Sequence, residues 1–236
     1  MGSESSSSSS EQAEAVTIDI TTFKSWDAHT QEEKSQTESI INSCGFHEIF
    51  FENLSDAKIA RMKNTSFLRD ITLDDITIES LWQVENLKSQ AQNGKLLTTK
   101  QWLEGDLRAN GEPWIRPNAN TIRFSVSGLM MFSATVQLEF QMLKKGPNER
   151  VFIARRTKID ESQIDSIGVF CRKSKFKRVT GGVLVVEENI VSTTSTLLNM
   201  VGSKIAEYWS QAVVDNHYIF EKIWQEVCHK KAETSI

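Results

Sequence analysis

The residues FSATVQLEFQM at positions 132–142 hold the clearest pattern in the chain. From Phe132 to Met142 every second side chain is apolar, and the side chains between them are Ser, Thr, Gln and Glu. Such alternation is typical of a strand with one face in the core and one face in water, as antiparallel sheets have. The stretch therefore predicts a long strand and an antiparallel sheet around it.

Further strand patterns flank this stretch. Ile122, Phe124 and Val126 alternate with polar residues before it, and Gly146-Pro147-Asn148 predicts a turn after it. The return strand is predicted over residues 151–158. Two more strands are predicted over 166–171 and 183–186, with Gly181-Gly182 as a turn between them. The sequence thus predicts an antiparallel sheet of four to five strands over about 121–187.

Helical patterns precede and follow the predicted sheet. Thr30 with Glu33 fits a capping box, and Thr72 with Asp75 does the same for a helix running to about residue 92. A short helix is also predicted over 56–63. After the sheet, apolar residues at helical spacing predict C-terminal amphipathic helices that pack on it. The predicted fold class is α+β, with a helical N-terminal part, the sheet, and these helices.

The chain divides into three parts on composition. Residues 1–16 are a serine-rich and acidic head, too poor in apolar side chains to offset the entropy of ordering, and are predicted to be disordered. Residues 17–115 form the mainly helical subregion. A loop rich in Gly and Pro separates it from residues 118–236, which hold the sheet and the C-terminal helices, and the two parts could also form one domain.

Lysine and arginine are concentrated in one part of an acidic chain. Eleven of the 27 Lys and Arg residues lie between Lys144 and Arg178, while the formal net charge of the whole chain is −4. A positive surface on a sheet suits a phosphate-bearing or otherwise anionic partner.

The predicted polyanion-binding site lies in two segments of this basic stretch. Its cations would contact phosphates, and an exposed Phe176 would stack on a base. The alternative is that the lysines keep an edge strand soluble. The predicted residues are Arg155, Arg156, Lys158, Arg172, Lys173, Lys175, Phe176, Lys177 and Arg178.

Two residues outside the basic stretch are further candidates. Trp114 lies in the Pro-flanked loop and is a candidate partner contact, unless it packs the loop onto the core. Met1-Gly2 with Ser6 fits the loose pattern for N-myristoylation, which would make Gly2 a lipidation site; an accidental Met-Gly start is the alternative.

The sequence predicts no catalytic, metal or cofactor site. It contains no Gly-rich phosphate loop, no G-x-S-x-G and no H-E-x-x-H. Cys44 with His47, and Cys228 with His229, are residue types that zinc uses, but adjacent side chains on a helix point about 100° apart and suit one metal poorly.

The chain is predicted to be intracellular, either cytoplasmic or nuclear, with peripheral membrane attachment as an alternative. It has three cysteines, no secretory signal and no apolar run of about 20 residues. The secreted and membrane-spanning classes are therefore not expected.

These features favour a non-enzymatic protein that binds RNA, DNA or an anionic membrane through a basic β-sheet patch. Self-association, or a protein partner, is expected at the C-terminal helices. Viral structural or accessory proteins of matrix, coat or movement type have such a profile. A protein–protein adaptor that does not bind nucleic acid is one alternative, and an enzyme with a spatially assembled site is another.

Overall fold

One antiparallel sheet of nine strands organises the protein. The computed structural model describes residues 18–20, 24–44, 58–92, 115–128, 132–157, 170–193 and 217–233. The strands are β1 (Ile18–Ile20), β2 (Lys24–Ser25), β3 (Lys58–Arg69), β4 (Ile115–Asn118), β5 (Thr121–Gly128), β6 (Phe132–Lys145), β7 (Glu149–Arg156), β8 (Phe170–Val179) and β9 (Gly182–Thr193). Their order in the sheet is β1-β3-β9-β8-β7-β6-β5-β4, with β2 also paired to β3.

Three α-helices accompany the sheet in the described residues: α1 (Gln31–Ser43), α2 (Ile78–Gln92) and α3 (His217–Glu233). None of them is long and apolar enough to cross a bilayer.

The predicted fold class is wrong about the N-terminal part and about the size of the sheet. The short helix predicted over 56–63 falls largely on β3, which pairs with β9 from Lys58 to Arg69. The alternation of β3 is hard to see because Asn64 and Ser66, which face the interior, are polar. A pattern search that looks for apolar residues at every second position therefore misses this strand.

The helix starts agree with the sequence in one case and differ in the other. The capping box at Thr30 is confirmed, since the Glu33 N–H donates to Thr30 Oγ1 at 3.2 Å and the Thr30 N–H donates to Glu33 Oε2 at 2.8 Å. Thr72 and Asp75 instead close a turn. Helix α2 begins later, at Ile78, where the Ser80 N–H donates to Thr77 Oγ1 at 3.1 Å.

Helices α2 and α3 cover one face of the sheet, which we call the inner face. Trp224 of α3 and Phe176 of β8 are almost fully buried there, with ring centroids 5.5 Å apart in a T-shaped contact. Phe176 makes a second T-shaped contact, at 5.8 Å, with Phe152 of β7. Edge-to-face pairs of this kind stabilise a core beyond their apolar burial.

Helix α1 covers part of the opposite face, which we call the outer face. A second buried cluster joins the helix to the sheet there, formed by Ile40, Ile41, Cys44, Ile59, Ile153, Cys171 and Ile190. Both faces of the middle strands are therefore buried over part of their length.

Two tight turns fix the end of the sheet where β6 meets β7 and β8 meets β9. Gly181 has a φ of +80°, a conformation that glycine adopts at little cost, and its carbonyl accepts from the Asp70 N–H at 3.0 Å. In the other turn the Gly146 N–H donates to the Glu149 carbonyl at 2.8 Å.

Candidate anion-binding surface

Strand register brings two basic segments together at this end of the sheet. Glu149 lies opposite Lys177 in the β7–β8 pair, and Val151 lies between Lys144 on β6 and Lys175 on β8. The Arg178 N–H donates to the Asn148 carbonyl at 2.9 Å. We call the resulting surface the basic end, formed by Lys144, Lys145, Arg150, Lys175, Lys177 and Arg178.

The cations of the basic end outnumber the carboxylates beside them. Glu149 forms ion pairs with Lys144 and, at 3.1 Å, with Lys175. Hydrogen bonds from these two lysines hold the pKa of Glu149 below its ordinary value. With Glu149 and Asp74 counted against its six cations, the surface carries a formal charge of +4. Such an excess attracts an anionic partner.

A cleft of about 420 Å³ opens within the basic end. It is lined by Leu73, Asp74, Lys145, Gly146, Pro147, Arg150 and Arg178. Three of these side chains are cations and one is a carboxylate, so the cleft can bind an anionic group.

Arg150 is the fixed cation of the cleft. Its residue is 6% exposed, with Nη1 donating to the Ile76 carbonyl at 2.6 Å and Nη2 donating to Asp74 Oδ1 at 2.7 Å. Within the described part of the chain its Nε–H has no hydrogen-bond partner. The Asp74 side chain is 82% exposed, so water screens its pairing with Arg150.

An apolar side chain stands beside these cations. Met142 pairs with Phe152 and Lys144 with Val151, so Leu143 is an extra residue in β6, a β-bulge. Leu143 is 48% exposed and is the one exposed large hydrophobic residue among those that the structure describes. Leu143 and the two lysines that follow it are all exposed.

The first predicted segment lies away from the basic end. Arg155 is six residues along β7 from Glu149, about 20 Å at the rise of a strand. It pairs with Glu139 at 2.7 Å, while Arg156 is 7% exposed. Lys158 lies outside the described residues.

Arg172, in the second predicted segment, points inward. It forms an ion pair with Glu85 of α2, and its Nε donates to Asn189 Oδ1 at 2.8 Å. Burial alone would lower the pKa of Arg172, but the charges of Glu85 and Glu187 outweigh it and raise the pKa above its ordinary value. This guanidinium links the sheet to α2 and is 15% exposed.

The prediction of an exposed Phe176 is wrong, because the residue is 0% exposed and packs against Trp224. Its ring is not available to stack on a base. On the outer face of β8, Lys173 is half-buried and Lys175 and Lys177 are exposed. Arg178 at the strand end is exposed as well.

The sequence-based site omitted Lys144, Lys145 and Arg150. The signal was present, because a turn at 146–148 places the residues before it beside those after it. Arg150 was harder to recognise, since its role depends on Ile76 and Asp74, more than 70 residues away in the chain.

The remaining candidates lie largely outside the described residues. This applies to Trp114, Gly2 and His47, and to the side chain of His229. In the described part of the chain no three His, Cys, Asp or Glu side chains are grouped as a metal site would require.

Comparison with known proteins gives distant likenesses only. No family model and no curated protein matches the chain. Among solved structures it resembles the di-domain ARO/CYC StfQ from the steffimycin biosynthetic pathway (TM-score 0.42, 9% identity), covering 74% of this chain and 52% of that one. It thus spans about half the length of StfQ.

Two other likenesses are of the same kind. Human STARD10 gives a TM-score of 0.41 at 10% identity, covering 75% of this chain and 71% of that one. Norcoclaurine synthase from Thalictrum flavum gives 0.36 at 8% identity, covering 72% and 87%. Likenesses this distant carry no argument about what the chain binds or catalyses.

Proposed function

We propose that the protein binds a polyanion through the basic end and works as a non-enzymatic binding or scaffold protein. The observation that carries the proposal is the junction of two basic segments by the β6–β7 hairpin and β8. This junction brings six cations to one end of the sheet, and three of them line a cleft that contains one carboxylate, Asp74. Their mutual repulsion is a cost that an anionic partner would relieve.

The chemistry of the cleft supports binding. Of its lining side chains, Asp74 is the one carboxylate, and it is paired with Arg150. The other polar side chains lining it are cations, which suit a phosphate or carboxylate ligand. An RNA, a DNA and an anionic membrane all present such groups.

A salt titration tests the proposal. Binding to single-stranded RNA and to anionic vesicles would be measured by anisotropy and by co-sedimentation as the salt concentration rises. The affinity should fall steeply, because each phosphate contact releases bound counterions. Absence of binding to both partners at low salt would refute the proposal.

A charge variant locates the site. Replacing Lys144, Lys145, Lys177 and Arg178 with Gln should reduce both the affinity and its salt dependence, because these side chains are exposed and little of the core rests on them. The control is Lys63→Gln with Lys222→Gln, which removes two exposed lysines elsewhere, so the losses are compared per charge removed. Equal losses per charge in the two variants would show that the basic end is not the site.

The assembly role and the intracellular location belong to the same proposal. Cys44, Cys171 and Cys228 form no disulfide, which suits a reducing compartment. The apolar side chains of α3 that face the sheet, including Ile223 and Trp224, are buried within the chain itself. Self-association, or a protein partner, at the C-terminal helices would therefore use the side chains of α3 that do not face the sheet. Viral matrix, coat or movement proteins are one class in which such a surface would serve.

A further inference from the structure

The exposed side chain of Leu143 helps to decide which kind of polyanion the basic end binds. It is 48% exposed, and Lys144 and Lys145 follow it directly at the end of β6. A lone exposed leucine is ordinary on a protein surface. Here, however, the leucine lies at a β-bulge and directly precedes two exposed lysines.

This combination suits a bilayer surface better than a nucleic acid. Bases are bound by stacking on aromatic rings, but Phe176 is fully buried and leucine has no aromatic face. At a bilayer, an apolar side chain enters the acyl boundary while lysines keep their charged ends among the headgroups. An anionic leaflet also strengthens attachment by about fivefold for each nearby lysine or arginine.

We infer that the polyanion is an anionic membrane, with the β6–β7 hairpin docked on it and Leu143 entering the lipid. This inference rests on the proposed function and names its partner. Lys144, Lys145, Lys175 and Lys177 lie at the headgroup level around the hairpin. The other end of β7, with Arg155 paired to Glu139, lies away from the membrane.

In this inference the cleft binds the phosphate of a lipid headgroup. Arg150 is held in place by the Ile76 carbonyl, while Lys145 and Arg178 complete the lining. The pairing of Arg150 with the exposed Asp74 is weak enough for a phosphate to replace it. A phosphomonoester carries more charge than a phosphodiester, so three cations favour it.

Vesicle co-sedimentation of the whole chain tests the inference. Three vesicles are compared: phosphatidylcholine alone, phosphatidylcholine with phosphatidylserine, and phosphatidylcholine with phosphatidic acid, the last two adjusted to equal surface charge. We expect no binding to the first, binding to the second, and tighter binding to the third. Equal affinity for the two anionic vesicles would overturn the assignment of the cleft to a phosphomonoester.

Leu143→Ser tests the docking. Its binding to phosphatidic acid vesicles should fall roughly tenfold, while binding to RNA and the unfolding free energy stay unchanged. Leu143→Phe, which keeps an apolar side chain, should bind the vesicles as tightly as the original chain. If Leu143→Ser sediments with the vesicles as well as the original chain does, the hairpin does not enter the bilayer and the inference is overturned.

The outcomes also separate this inference from the proposed function. Salt-dependent RNA binding without vesicle binding would overturn the membrane inference and leave the polyanion proposal standing. Binding to neither partner would overturn both. Vesicle binding that the Arg178→Gln and Lys145→Gln changes weaken, together with the Leu143→Ser loss, supports both.

Discussion

The backbone N–H of Arg178 donates a 2.9 Å hydrogen bond to the carbonyl oxygen of Asn148. This bond links the end of β8 to the β6–β7 turn, just beyond Glu149 and Lys177, the last residues paired between β7 and β8. Lys177 and Arg178 are thereby held beside Lys144 and Lys145, although more than 30 residues separate them in the chain. The charge of the basic end is a property of this junction and not of either segment alone.

Phe176 should act as a core residue. Phe176→Ala is expected to lower the unfolding free energy by about 3–5 kcal/mol, because it leaves a cavity between Phe152 and Trp224. Urea unfolding followed by tryptophan fluorescence measures the change. The control is Lys177→Ala at the next, exposed position, which should change stability by less than about 0.5 kcal/mol. Similar small losses in both variants would contradict the buried position of the ring.

The ion pair between Arg172 and Glu85 should be costly to break from one side. Glu85→Ala leaves the Arg172 guanidinium, 15% exposed, without its main carboxylate, and should cost about 3–5 kcal/mol. Replacing both residues, as in Arg172→Met with Glu85→Leu, should cost much less than the sum of the single changes. A double-mutant cycle in urea measures this coupling, and additive losses would show that the two side chains do not depend on each other.

The sequence predicts the fold where local pattern and tertiary role agree. The stretch 132–142 lies within β6, because nothing in the sequence interrupts the alternation of apolar and polar residues. It fails at β3, where Asn64 and Ser66 face the interior. The sequence also does not predict the burial of Phe176. A phenylalanine between lysines fits a fully solvated strand and a strand with one buried face equally well. Which face is buried depends on α2 and α3, and no short window of sequence contains that information.

The same reasoning explains the candidate site. The concentration of charge between Lys144 and Arg178 is visible in the sequence. Which of these cations point inward and which stay exposed is not visible there. Arg172 is taken inward by Glu85, while Lys177 stays in water. Both partners of Arg150 in the cleft come from the segment between β3 and α2. Contacts over such sequence distances follow from the topology of the sheet.

Glu33 should make stability depend on pH in the acid range. The Thr30 N–H and the Lys24 ammonium lower the pKa of Glu33 from its ordinary value to about 2. Because the pKa is lower in the folded chain, the stabilising contribution is complete above about pH 4.5 and is lost as the pH falls towards 2. Glu33→Gln keeps an acceptor for the capping box but removes the charge.

The measurement is the difference in unfolding free energy between the original chain and Glu33→Gln from neutral pH downwards. The difference should be constant near neutrality and should shrink below about pH 4.5. Glu32→Gln is the control, at a neighbouring exposed position in the first turn of α1. A difference that stays constant through the acid range would contradict the lowered pKa.

Gly182 should tolerate no side chain. A Cβ at this position would lie 2.1 Å from the Leu68 carbonyl oxygen, so β3 and β9 would have to separate at the end where Arg69 pairs with Gly182. We expect Gly182→Ala to destabilise the protein by more than about 2 kcal/mol or to prevent folding. Gly146→Ala is the control, since its Cβ would come no closer than 3.4 Å to another atom and its turn is at the surface. Equal stability of the two variants would contradict the close approach of β3 to β9.

The three thiols should react at two different rates. Cys44 and Cys171 are buried between α1 and the sheet, whereas Cys228 on α3 is partly exposed. The hydrogen bond with Cys44 and burial both raise the pKa of Cys171, which keeps this thiol protonated and unreactive. With a chromogenic disulfide reagent, Cys228 should react first, and the other two only as fast as the chain opens. Cys228→Ser should remove the fast phase and leave the slow phase unchanged. In urea, all three thiols of the original chain should react in a single fast phase. If all three thiols react together in the native protein, α1 does not cover the outer face as the structure shows.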